Sequence, residues 1–132
     1  MRREESLYPQ DWFAKAQQDV RTVEILLREE GDAEVAGFHL QQAVEKYLKG
    51  YLLSQGWELQ RIHSLEALLN EAICFEPEME RFRELCEDAT DFYTLERYPF
   101  FASPGITPKD VSRLLPSLRQ LIEQIKETVS HP

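Results

Sequence analysis

Residues 38–53 constrain what this chain can fold into more than any other segment, because they read as one amphipathic helix with an unusual polar border. With His39 at zero and about 100° per residue, Gln42 falls near −60°, Lys46 near −20° and Lys49 near −80°. Leu40, Val44, Tyr47, Leu48, Tyr51 and Leu52 occupy the opposite arc, from about 80° to 220°. A His, a Gln and two Lys therefore form one ridge beside the apolar face. An ordinary solvated ridge mixes Glu with Lys. This one suits either an anion or another helix, and the sequence leaves both open. Gly37 and Gly50 lie inside the same helix, each at a cost of about 0.5–1 kcal/mol relative to Ala. Two such costs imply that another helix or a ligand comes close there.

The rest of the chain keeps the helical period, and no run alternates as a strand would. A first helix is expected over about residues 9–30, with Pro9 in its first turn and Gly31 as its stop. Its apolar stripe is Trp12, Phe13, Ala16, Val20, Val23, Leu26 and Leu27. The second runs from Asp32 as N-cap to about Gln55 and closes at Gly56. The third, over about residues 64–75, has Ser64 as N-cap and Leu65, Leu68, Leu69 and Ile73 inside. Pro77 opens a fourth that reaches about Thr94, with Met79, Phe82, Leu85, Cys86, Ala89 and Phe92 or Tyr93 as core positions. Residues 97–106 form a loop rich in Pro and aromatics, with a turn signal at Pro104-Gly105. Thr107, Pro108 and Asp110 start the last helix close to a capping box, and Pro116 kinks it. The expected architecture is all-α: an antiparallel four-helix up-and-down bundle with one short additional helix, a single domain over residues 1–132 with its core at about 9–129.

Bulk properties exclude several function classes. The 132 residues contain no run long and apolar enough for a transmembrane helix, and nothing after Met1 reads as a secretory signal, so a cytoplasmic protein is expected. Cys74, Cys86, His39, His63 and His131 are too scattered for a zinc site. The two cysteines are expected to be small buried apolar residues. A net charge of −9 opposes a general electrostatic grip on nucleic acid. That charge is uneven: residues 66–96 hold ten acidic side chains against Arg81 and Arg83, so the remainder is nearly neutral. The acidic segment reads as a solvated face.

Three features in order give the chain a family resemblance. The first is Phe13-Ala14-Lys15-Ala16-Gln17-Gln18-Asp19-Val20. The second is the run from Phe38 to Lys49, followed by Gly56 and then Arg61-Ile62-His63-Ser64-Leu65. The third is Tyr93-Thr94-Leu95-Glu96-Arg97-Tyr98-Pro99. Spread over residues 12–129, they make the sequence resemble a HEPN domain, with the second feature the most specific. The resemblance implies a helical bundle that pairs as a homodimer, a separately encoded nucleotidyltransferase partner, and binding of a nucleotide or RNA. Some members are ribonuclease toxins, which carry an Arg and a His separated by four to six residues near the start of the last long helix. Here Arg97 has no such His, His63 follows Arg61 after one residue, and His131 lies far from Arg119.

No catalytic residues are assigned, because no Ser/His/Asp pair, Cys/His pair or glycine-rich phosphate loop is signalled. The ligand-binding candidates are His39, Gln42, Lys46, Lys49, Arg61, His63, Tyr93, Arg97 and Tyr98. The ridge of His39, Gln42, Lys46 and Lys49 has donors for phosphate and for a base edge. The competing assignment is a dimer seam, or a helix–helix contact with His39 bonded to backbone and Lys46 paired with a carboxylate. Arg61 and His63 stand where a helix N-terminus favours anions, or else His63 packs the loop. Tyr93, Arg97 and Tyr98 suit base stacking, while Phe100 and Phe101 plug the bundle end. The expected function is a non-catalytic nucleotide-binding and interaction module with no resident cofactor, its ligand a nucleotide such as ATP. The alternatives are a ribonuclease toxin of a toxin–antitoxin pair, which the missing Arg–His spacing disfavours, and a purely structural dimerisation domain.

Overall fold

The computed structural model describes the backbone of residues 5–97 and 105–130 and the side chains of 5–92 and 105–130. The order is α1 (Pro9–Arg28), α2 (Ala33–Ser54), α3 (Leu65–Phe75), a 3₁₀ helix (Pro77–Phe82), α4 (Arg83–Arg97), α5 (Pro108–Ser112) and α6 (Leu115–Ser130). Among the described residues there is no strand, and no helix is long and apolar enough to cross a membrane.

Local chemistry explains most helix ends. The Asp32 carboxylate accepts from the backbone N–H groups of Glu34 and Val35 at the start of α2. Ser64 accepts from Ala67 at the start of α3. Thr107 and Asp110 form a complete capping box on α5. At the end of α2, Gly56 takes φ of 89° and the N–H of Trp57 bonds to the Leu52 carbonyl, the pattern of a left-handed C-terminal turn.

Three local expectations are corrected. The left-handed residue that ends α1 is Glu30 (φ 55°), one position before Gly31, whose N–H bonds to the Leu26 carbonyl. The Cβ strain at Glu30 is accepted because the turn satisfies otherwise orphaned carbonyls. The expected fourth helix begins as a separate 3₁₀ helix over Pro77–Phe82, with Pro77 in its first turn, before α4 starts at Arg83. The expected last helix is two: the chain turns at Arg113 and Leu114, so Pro116 lies in the first turn of α6, where its missing N–H costs nothing. The residues of the 98–104 segment, including Tyr98, Phe100 and Phe101, lie outside the described residues, as do the side chains of Tyr93 and Arg97.

The core gathers around α2. That helix touches α1 most extensively and also packs on α3, α4, α5 and α6. Leu40, Val44, Leu48, Tyr51 and Leu52 are fully buried along it. Its two internal glycines are explained by aromatic side chains. A Cβ on Gly50 would stand 2.5 Å from Cε1 of Phe13, and one on Gly37 3.2 Å from Cβ and Cγ of Phe92. Phe13 also stacks on Tyr47, with ring centroids 5.9 Å apart. Cys86 is buried as expected, and burial pushes its thiol up to about 12. Cys74 is exposed on α3, against expectation, because the inner face there is completed by Ala72.

Gly50→Ala should therefore lower stability by about 1–3 kcal/mol, read from the denaturant midpoint, since the Phe13 ring has to move. A thiol reagent near neutral pH should label Cys74 quickly in the native protein and Cys86 only after denaturation.

Candidate functional site

Apolar packing on five helices leaves α2 little free surface, yet it carries His39, Gln41, Gln42, Glu45, Lys46 and Lys49. Burying charge without a partner is costly, and two carboxylates resolve the conflict. Asp19, on the inner face of α1 and only 6% exposed, accepts from Lys46 Nζ at 2.7 Å and lies 2.8 Å from His39 Nδ1. Glu45, on α2 itself, accepts from Lys49 Nζ at 3.2 Å and lies 3.3 Å from His63 Nδ1. Each carboxylate thus holds one Lys and one His.

The ridge read from the sequence faces α1 of the same chain. Lys46 is paired with a carboxylate, as one expectation had it, while His39 also bonds that carboxylate in place of a backbone group. Lys49 is 0% exposed and its ammonium sits 5.2 Å from the ring centroid of Trp12, so it is sealed between α1 and α2. Gln42 donates to Gln41 at 2.7 Å. His63 lies at the mouth of the Glu45 pair with 70% of its side chain in solvent. Arg61 is exposed and makes no ion pair among the described residues. Thus His39 and Lys46 converge on one centre and Lys49 and His63 on a second. Tyr98 and the side chains of Tyr93 and Arg97 are not described.

Sequence reasoning missed three acids. Asp19 occupies a core register on α1, three residues from Ala16 and four from Val23, where a lone carboxylate among apolar positions signals an internal partner. Glu45 precedes Lys49 by one helical turn, the spacing of an intrahelical ion pair. Glu76 carried no such signal. It accepts from the Tyr51 hydroxyl and the Thr128 hydroxyl, both at 3.0 Å, and from the Gln124 amide, tying α2 to α6. Burial and the Glu76 carboxylate push the Tyr51 phenol well above its ordinary range.

A groove of about 420 Å³ opens beside this network, lined by Trp12, Lys15 and Lys46 together with Ser6, Asp11 and Glu5. The indole is fixed there, since Trp12 Nε1 donates to the Ser6 carbonyl at 2.8 Å. Lys46 thus both joins the internal network and reaches an open cavity. No group of acidic, His and Cys side chains among the described residues is arranged to hold a metal ion.

The two partners of Glu45 should differ sharply. Glu45→Ala leaves the Lys49 ammonium buried without its carboxylate and should cost about 3–5 kcal/mol in chemical denaturation. His63→Ala removes a largely solvated partner and should cost less than about 1 kcal/mol.

The HEPN domain family profile matches residues 9–128. The crystal structure of an archaeal HEPN homologue superposes with a TM-score of 0.67 at 26% sequence identity, covering 92% of this chain and 98% of the homologue. No curated protein matches the sequence. With the profile running from the first turn of α1 to the last turn of α6, the chain belongs to the HEPN domain family.

Proposed function

We propose that this HEPN domain is a non-catalytic nucleotide-binding and interaction module that works in the cytoplasm with a nucleotidyltransferase. The observation that carries the reading is the position of Lys46, which lines an open groove together with Lys15 and a fixed aromatic side chain. A cation beside a stacking surface is the minimum a nucleotide site needs. Arg61, exposed and unpaired among the described residues just ahead of the Ser64-capped α3, offers a second anion contact. One feature favours binding over catalysis: the sequence lacks the Arg–His spacing of the family's ribonucleases.

Homodimerisation belongs to the same reading, but the ridge is a poor candidate for its seam. His39, Lys46 and Lys49 spend their hydrogen bonds inside one chain. A second groove of about 360 Å³, between α1 and α6, has Phe13, Tyr47, Ile125 and Val129 in its lining and is a better apolar surface for association.

Titration calorimetry with AMP and ATP tests the nucleotide reading. Lys46→Ala should weaken binding roughly tenfold, the effect of losing one charge-assisted contact, and Arg61→Ala should weaken it less, since Arg61 is not among the residues lining the groove. Heat from neither nucleotide, with helicity and melting intact, removes the reading.

A further inference from the structure

We infer that the groove beside Trp12 selects a nucleoside monophosphate over the corresponding triphosphate, with the base on the indole and the phosphate on Lys15 and Lys46. The inference rests on the nucleotide-binding reading above and narrows it to one site and one ligand class. The aromatic surface is rigid. Trp12 Nε1 donates to the Ser6 carbonyl, while the Ser6 hydroxyl donates to Asp11 at 2.6 Å and accepts from the Tyr8 N–H at 3.0 Å. The buried ammonium of Lys49 braces the same ring. A held aromatic ring stacks a base with little loss of side-chain freedom. The volume of about 420 Å³ also falls within the usual range of small-molecule sites.

Charge sets the selectivity. Lys15 is exposed and has no ion pair among the described residues, and Lys46 keeps a quarter of its side chain in solvent. These two ammonium groups can meet a single phosphate of about −2 charge. Glu5 and Asp11 line the same groove, and Asp19 stands behind Lys46 at 2.7 Å. A further phosphate in the same groove adds negative charge beside those carboxylates, and like charges repel. The acidic rim leaves the first phosphate favourable and makes the second and third unfavourable.

Trp57→Phe gives a protein whose one remaining indole is Trp12, and because the buried Trp57 Nε1 has no hydrogen-bond partner, the change breaks no bond. AMP, ATP and ribose 5-phosphate are titrated against it by Trp12 fluorescence, with calorimetry on the unaltered chain in parallel. AMP should quench saturably, bind about tenfold tighter than ATP, and lose about fivefold in affinity in Lys15→Ala. Ribose 5-phosphate, without a base, should leave the emission unchanged. Glu5→Gln with Asp11→Asn should narrow the gap between AMP and ATP. ATP binding as tightly as AMP overturns the selectivity. AMP heat that leaves Trp12 emission unmoved and is indifferent to Lys15→Ala places the nucleotide elsewhere, overturning this site while sparing the nucleotide reading. No heat from either nucleotide removes both. If Trp57→Phe fails to fold, calorimetry of Lys15→Ala in the otherwise unaltered chain decides the same point.

Discussion

The burial of α2 governs this molecule. Five helices pack on it, and thirteen of its residues are buried, among them Glu45 and Lys49. An unpaired charge in that setting would cost several kcal/mol, so each one must meet its opposite within the same few ångströms. Asp19 reaches in from α1 for Lys46, and Glu45 turns along α2 to Lys49. Glu76, just before the 3₁₀ helix, takes the Tyr51 hydroxyl at the far end. Three carboxylates from three places in the chain thus make one apolar-packed helix compatible with its own polar side chains.

That solution limits what the helix can offer to anything else. His39, Lys46 and Lys49 look like a cationic strip in sequence, but each faces a carboxylate at hydrogen-bond distance. The network is nearly neutral as a unit, with two lysines set against two acids. What reaches solvent is the edge: part of His39 and of Lys46, most of His63, and Lys15 and Arg61 outside the network. Among the candidate residues described, the cationic groups left accessible are those beside Trp12 and in the loop ahead of α3.

How much of this was legible depends on the range of the interaction. Caps are read over three residues, and Asp32, Ser64 and the Thr107–Asp110 box all stand where their types and spacing put them. Core positions on the 3₁₀ helix and α4 stand where the pattern put them, as Met79, Phe82, Leu85, Cys86, Ala89 and Phe92 all lie inside. The family was legible because the polar pattern of α2 is itself distinctive. What escaped was any property that depends on a partner far along the chain. The polarity of the ridge was visible, while its direction required Asp19, twenty residues before His39. Gly50 signalled close approach, but only the fold identifies Phe13 as the neighbour. The turn at Arg113 and Leu114 escaped because the apolar stripe runs through it unbroken.

The left-handed turn at Glu30 lets α1 double back onto α2 through a connection of only four residues. As a result the whole ionic network of Asp19, together with the contacts of Phe13 and Trp12, closes within the first half of the chain. The Asp19 bonds span 20 and 27 residues, whereas the bonds from Gln124 and Thr128 to Glu76 span 48 and 52. Shorter loops give up less chain entropy on closing, and local pairings form faster. The helical hairpin of α1 and α2 is therefore closed by short-range pairings that fix its charges in register, whereas the docking of α6 on Glu76 depends on long-range ones. The groove lined by Trp12, Lys15 and Lys46 is therefore assembled by the part of the fold with the shortest loops to close.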